Sequence, residues 1–400
     1  MIRQMNETAR SLQNAFVRER KKDGGRVVGY SCTFIPEEIL HAAGLLPFRL
    51  RGIGTTSMSI GDSYFGAVNC SLPKCVLQLA GQGSYNFLDG AIITNGCDSM
   101  RRLEECWRKA SEDYPGTLPE YYKYFAVPHK SVDYSVEFYK EELHGMMETL
   151  EKHFRIQISE ESLRKSIKLY NEGRTCLQKL DELRQSRDVP ISGEDAMAVL
   201  IAAHAIPQEQ FIGLFKDLIE KLKKTPSVSD GKKRLMLMGS ASDDMDFIRT
   251  IEESGAIVVA DTVCYGSRTY SVLVDEKSDP VHALSSHYLT HSICPRMLGY
   301  YKTRRAYVMD VIRKAKVDGV ILQNVRFCDL HGSENGIFER DLEAAGIPCM
   351  RLEREYGPLS ETGRISMRID AFMERISDHA FSINKVMGKD SELQQHLHSK

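Results

Sequence analysis

No Cys-x-x-Cys pair occurs in the 400 residues, although the chain has ten cysteines. That absence argues against a zinc ribbon and a thioredoxin-type site, and compact ferredoxin spacing is missing as well. There is no Gly-x-x-x-x-Gly-Lys-Ser/Thr loop, hence no evident means of hydrolysing ATP within this chain. No apolar run approaches the roughly 20 residues that cross a bilayer. The stretch Met1 to Arg26 is polar and charged and does not read as a secretory signal. Charge of one sign is lacking too: 53 Lys and Arg against 55 Asp and Glu leave a formal net charge of -2. No general attraction to nucleic acid or anionic membrane follows from such a balance. A cytoplasmic protein is expected, and a reducing compartment disfavours disulfides as the use of ten cysteines.

What is present is an alternation of short apolar runs and helical patterns. Residues 1–25 read as a helical arm, 26–133 as a first α/β lobe, 134–230 as helices that brace two lobes, 231–380 as a second α/β lobe and 381–400 as a polar tail. In the first lobe, Val27 to Tyr30, Leu46 to Leu50, Ile92 to Thr94 and Tyr124 to Val127 read as strands, with helices Pro36 to Ala43 and Asp98 to Lys109. In the second, Arg234 to Met238, Ile257 to Ala260, the Asp318-Gly319 run and Ile347 to Leu352 are strands, with helices Asp243 to Ser254, Arg304 to Lys316, Gly336 to Ala345 and Thr362 to Ile376. Strand–helix alternation predicts parallel sheets, so the expected fold is two doubly wound lobes joined by a helical segment.

One phrase occurs twice. Asp89-Gly90-Ala91-Ile92-Ile93-Thr94-Asn95-Gly96-Cys97-Asp98 returns loosely as Asp318-Gly319-Val320-Ile321-Leu322-Gln323-Asn324-Val325-Arg326-Phe327-Cys328-Asp329. Each copy is a buried strand ending in a loop that presents a cysteine and then an aspartate. Ligands sit at that end of open α/β sheets, so Cys97 and Cys328 are placed to meet one object in an inter-lobe cleft. Cys70, in the loop before the helix that feeds the first Asp-Gly strand, is the natural third. The competing reading of each is a small buried hydrophobe, which suits Cys176 and Cys349 inside regular elements, and Cys106 two turns into a helix. Soft thiolates suit iron–sulfur clusters and zinc; three rather than four would leave one iron open.

Gly29-Tyr30-Ser31-Cys32-Thr33-Phe34-Ile35-Pro36-Glu37-Glu38-Ile39-Leu40-His41-Ala42-Ala43-Gly44-Leu45-Leu46-Pro47 resembles the opening of the 2-hydroxyacyl-CoA dehydratase and benzoyl-CoA reductase family. Asn95 to Arg102, Trp107, Asp261 to Arg268, Cys294-Pro295 and Arg326 to Asp329 follow the same pattern in order, over about 26 to 378. The resemblance is to 2-hydroxyglutaryl-CoA dehydratase D-component-like chains. It implies two flavodoxin-like lobes with a [4Fe–4S] cluster in the cleft, held by three cysteines that fall here on Cys70, Cys97 and Cys328. It also implies an acyl-CoA substrate, a homologous second subunit or a second copy of the chain, and a separate ATP-hydrolysing iron–sulfur activator. The implied chemistry is radical elimination of water after one-electron reduction of the thioester. The alternatives are ring reduction, as in benzoyl-CoA reductase, and a double-cubane-type reductase or electron-transfer protein. Gly61 to Tyr64, the Cys70 loop and Arg101 to Trp107 look like the smaller subunit of the ring reductase.

Other residues stay open. Cys32 and Cys75 are spare thiols or extend the site to a double-cubane cluster; Cys264 and Cys294 match the family pattern without a role. Glu38 and His41, with Glu37, face the cleft or simply form a dipole-favoured first turn with a solvated histidine. His331 is a proton relay or a surface histidine, and Asp98 and Asp329 are acid–base groups or helix caps.

Overall fold

The apolar runs of the first lobe form β1 (Val27–Tyr30), β2 (Leu46–Arg49), β3 (Gly90–Thr94) and β4 (Tyr121–Phe125) in a computed structural model that describes residues 1–290, 293–357 and 362–378. The polar tail expected at 381–400 lies outside the described residues. All four strands are parallel, in the order β2-β1-β3-β4. The second lobe repeats this with β5 (Lys233–Gly239), β6 (Ala256–Thr262), β7 (Gly319–Val325) and β8 (Cys349–Arg354) in the order β6-β5-β7-β8. Strands β1, β2, β3, β6 and β7 are buried along their whole length, as sheets covered by helices on both faces require. The strand order is that of flavodoxin-like, doubly wound lobes, whose chain reverses direction between the first and third strands.

The repeated Asp-Gly has the same structural task in both lobes. Asp89 Oδ2 accepts the backbone N–H of Val27 at 2.8 Å, and Asp318 Oδ2 accepts that of Arg234 at 2.7 Å. Each carboxylate thus satisfies a donor at the start of the neighbouring central strand, which has no ladder partner there. The glycine that follows is needed for clearance. A Cβ on Gly90 would stand 2.7 Å from the Tyr121 ring, and one on Gly319 2.6 Å from Ile376.

Between the lobes run the helices Asp133–Phe154, Glu160–Gln185, Gly193–Ala202 and Gln208–Leu222. The longest, Glu160–Gln185, packs against the helix Glu37–Ala42 of the first lobe and against β6 of the second. The N-terminal helix Ile2–Ala9 lies on Gly193–Ala202, burying Met5 and Ala9 completely. The lobes are also joined directly. Arg51 Nε meets Asp243 Oδ2 at 2.6 Å with both side chains 1% exposed, the Tyr356 hydroxyl donates to Asp243 Oδ1 at 2.6 Å, and the Tyr265 hydroxyl donates to the Leu50 carbonyl.

Several elements differ from the sequence expectation, among them β8, which runs over Cys349–Arg354 rather than Ile347 to Leu352. Strand β4 starts at Tyr121, because its register with β3 runs from Gly90↔Tyr121 to Thr94↔Phe125. The helix after β7 is Asp329–Ala344 and starts directly after Cys328, not at Gly336. Its first turns hold weak helix formers (His331, Gly332, Ser333, Asn335) that hide it from periodicity. Helix Pro280–Thr290 has no counterpart in the sequence reading; its serines and two histidines weaken the pattern, while Val281, Leu284 and Leu289 anchor it in the core.

Candidate functional site

Cys70, Cys97 and Cys328 share one local geometry. Each is the N-cap residue of a helix: Ser71–Gly81, Asp98–Asp113 and Asp329–Ala344 respectively. Cys97 follows β3 and Cys328 follows β7, the third strand of each lobe, so both stand at the carboxyl-end crevice where the winding reverses. The three thiols are near enough to resist ionising together. Burial raises Cys70 first and the Cys328 thiol adds to it; burial raises Cys97 well above an ordinary thiol, with Cys328 and Cys70 adding. Cys328 is pushed up to about 11, mainly by burial. Pulling the other way are the backbone N–H groups of Leu72, Met100 and His331 in the three first turns. These donors and the helix dipoles favour thiolates once a cation offsets their repulsion. Asp98 and Asp329 occupy first-turn positions, exposed, where the dipole favours them.

A second set of thiols adjoins the first. A Cβ on Gly96 would stand 2.8 Å from Cys32 Sγ, so the glycine before Cys97 makes room for that thiol. Cys32, raised chiefly by burial, also interacts with Cys264; Cys294 is pushed up to about 12 by burial and then by Cys264. Three buried arginines face this set. Arg268 Nη1 lies 3.4 Å from Cys264 Sγ and 3.2 Å from His331 Nε2. Arg49 lies over the Tyr265 ring at 4.6 Å and donates to Thr33 Oγ1 at 3.0 Å, while Arg296 donates to the carbonyls of Asn95, Pro128 and Val127. Among the described residues their contacts are carbonyls, a hydroxyl, an imidazole, a thiol and aromatic faces, with no carboxylate among them. Nε of both Arg49 and Arg268 has no hydrogen-bond partner among the described residues. Buried cations without counter-charge are costly, and thiolates are the nearest candidates to supply it.

The remaining sequence candidates are placed as follows. His331 is buried rather than on a surface loop; because a guanidinium can only donate, its Nε2 accepts from Arg268. Burial, then Arg268 and Arg304, hold it well below the ordinary imidazole range, so it is neutral. Glu38 is fully buried, bound to Arg174 at 2.6 Å and to the Tyr288 hydroxyl at 2.8 Å. Glu37 pairs with His204 at 3.0 Å and with the Tyr30 hydroxyl. His41 points the other way, to Ser166 at 2.7 Å and the exposed Glu209 at 3.0 Å. Cys75 is buried, with Met58 Sδ at 3.5 Å and the Tyr356 carbonyl at 3.8 Å. The arginine set had no sequence signal beyond Arg268 lying in a family-like stretch, because its members stand on three separate elements.

The described residues contain no group of three His, Cys, Asp or Glu side chains tight enough for a single metal ion. A four-iron cluster is larger than an ion and holds its thiolates farther apart, and an all-thiol donor set at three helix N-caps fits it.

The comparisons with known proteins bear on this arrangement. The family model for the 2-hydroxyglutaryl-CoA dehydratase D-component matches residues 32–376. The chain belongs to this family. Among its relatives is the (R)-phenyllactyl-CoA dehydratase beta subunit of Clostridium sporogenes, 26% identical over 342 residues, covering 85% of this chain and 89% of that protein. A benzoyl-CoA reductase subunit of Thauera aromatica is 28% identical over 310 residues, 76% and 79% of the two chains. The beta subunit of (R)-2-hydroxyglutaryl-CoA dehydratase from Acidaminococcus fermentans is 20% identical over 362 residues, 89% and 94%. As a member of the family the chain is an enzyme subunit, and relatives that are themselves subunits imply partner subunits. No helix among the described residues is long and apolar enough to cross a membrane.

Proposed function

We propose that this chain is the iron–sulfur subunit of a 2-hydroxyacyl-CoA dehydratase-type enzyme, with Cys70, Cys97 and Cys328 holding a [4Fe–4S] cluster. The observation that carries the reading is the threefold repetition of a cysteine at a helix N-cap, two of them at the carboxyl ends of equivalent strands in the two lobes. When bound, such a cluster supplies a Lewis-acidic, one-electron-donating iron that no fourth thiolate blocks. The chain's own residues provide the setting. First-turn N–H groups stabilise the thiolates, Arg268 fixes neutral His331 with Nε2 as acceptor, and burial limits the access of water to the thiols. The substrate is an acyl-CoA, the electron comes from a separate ATP-hydrolysing activator, and a homologous subunit or second copy completes the cytoplasmic enzyme. Changing Cys70, Cys97 or Cys328 singly to serine in anaerobically purified protein should lower bound iron and alter the EPR signal of the reduced state. Full iron retention in all three variants removes the reading.

A second reading, a double-cubane-type reductase, is favoured by Cys32, Cys264 and Cys294 beside the first trio and by three buried arginines without carboxylates. The two readings differ in iron content: Cys264→Ser and Cys294→Ser leave iron unchanged in the first and remove about half of it in the second. Benzoyl-CoA reductase-type chemistry is separated by reductant consumed per turnover, which is catalytic in dehydration and stoichiometric in ring reduction.

A further inference from the structure

The chain leaves β7 for the helix Asp329–Ala344 through one tight turn. The Cys328 N–H donates to the Val325 carbonyl at 2.9 Å, which closes a β-turn over Val325, Arg326, Phe327 and Cys328. Phe327, third in that turn, has φ 62°. A left-handed third position is one that glycine or asparagine fills without strain, and a bulky ring there is an outlier. Among the described residues, the other non-glycine positions with positive φ are Arg155 and Lys316. They cap the C-termini of the helices Asp133–Phe154 and Tyr301–Ala315, where that conformation is common. Phe327 follows a strand and has no such reason.

The first lobe reverses the match of residue and backbone. There the residue before the cysteine is Gly96, whose φ is not left-handed; its missing Cβ makes room for Cys32 Sγ instead. Side chains hold that loop: Asn95 Oδ1 accepts the Val127 N–H at 2.8 Å, its Nδ2 donates to the Val127 carbonyl at 3.3 Å, and Arg296 donates to the Asn95 carbonyl at 2.9 Å. The second loop has a backbone tie, from the Arg326 N–H to the Arg354 carbonyl at 2.8 Å, and then the strained turn. Over that turn the Arg326 guanidinium lies on the Phe327 ring at 5.1 Å, with only a weak 4.0 Å contact to the exposed Glu353 competing for it. The ring is 37% exposed and lies outside the apolar cores of the described residues, so burial does not account for it. What it supplies is a constraint. A glycine at 327 would enter the turn easily but leave it as easily, because it gains the most freedom in the open loop. A ring stacked under the neighbouring guanidinium offsets the strain while the turn stays closed.

We propose that Phe327 is a positioning residue for Cys328: its ring, stacked on Arg326, keeps the strained turn closed and so fixes the thiol at the helix N-cap beside Cys70 and Cys97. This rests on Cys328 acting as a ligand, as in the reading above. The readout is the rate at which iodoacetamide labels Cys328 in the reduced, metal-free full chain. Peptide mass spectrometry follows it, with Cys97 as the reference within each sample. Phe327→Ala should raise the Cys328 rate relative to Cys97 about fivefold or more. Phe327→Gly, which relieves the strain but removes the ring, should raise it as well, and Arg326→Gln should act in the same direction. Phe327→Tyr, which keeps the ring, should label at the wild-type rate. An unchanged Cys328 rate in Phe327→Ala overturns the proposal. So does a wild-type rate in Phe327→Gly, since the backbone conformation alone would then hold the thiol. An equal rise at Cys97 overturns it too, because the loosening would be general. The cluster reading is tested apart from this: full iron retention in the three serine variants removes that reading and leaves the labelling result standing for the turn.

Discussion

At the scale of single residues, the doubled Asp-Gly phrase does two jobs that the sequence could not separate. Its aspartates close the backbone hydrogen bonding of β1 and β5; its cysteines, about eight and ten residues later, are helix N-caps. The first job makes a prediction independent of any cofactor. Asp318→Ala leaves the Arg234 N–H without its 2.7 Å acceptor and should cost about 1–3 kcal/mol in urea denaturation. Asp318→Asn, which keeps an acceptor oxygen, should recover most of that. Asp89→Ala should cost at least as much, since Asp89 also binds Lys21 at 2.7 Å. Alanine and asparagine variants of equal stability would mean that the hydrogen bond contributes nothing.

At the scale of elements, the helix Glu160–Gln185 reaches β6 through one arginine and two carboxylates. Arg184 Nη1 meets Asp261 Oδ2 at 3.0 Å and Asp181 Oδ1 at 3.1 Å. Asp261 and Arg184 are the more deeply buried pair, so Asp181 receives less compensation. Burial, with Asp261 adding, raises Asp181 to about 6 although Arg184 opposes the shift. A carboxyl raised above its unfolded value, near 3.9, contributes stability present at low pH and lost as pH climbs to the folded value. Between pH 4 and about 6.5 the wild type should therefore lose about 1–3 kcal/mol relative to Asp181→Asn, measured by urea unfolding at several pH values. A constant difference across that range would show that Asp181 titrates normally. Such a shared-ion contact was invisible in the sequence, where 181, 184 and 261 belong to a helix and a strand far apart. The strands themselves were legible because burial on both faces demands continuous apolar runs. The helix after Cys328 was legible only from its C-terminal half, since its first turns follow the cap and not a hydrophobic period. That Cys97 and Cys328 close equivalent strands was readable from the repeated phrase, whereas the facing arginines depend on tertiary placement alone.

At the scale of the whole molecule, the question is whether two similar lobes behave as two domains or one. Their cores are not separate: Val325 and Tyr356 of the second lobe lie in the same apolar cluster as Phe48, Leu77 and Trp107 of the first. At the joint Asp243 receives both Arg51 and the Tyr356 hydroxyl, and the Gly52 N–H bonds to the same hydroxyl at 3.1 Å. Fixed lobes keep strand-end loops from both sheets in register around the thiols, which a hinged pair would not. Removing one partner of a buried ion pair leaves the other uncompensated, at about 3–5 kcal/mol. Asp243→Asn should lower stability by about that amount, and the loss should show in both lobes. Trp107 fluorescence reports the first lobe, and hydrogen exchange of the β5 and β7 amides the second. With a shared core the two probes should shift together along one cooperative transition. If only one lobe is destabilised while the other keeps its wild-type midpoint, the lobes are independent units and the thiols meet across a hinge.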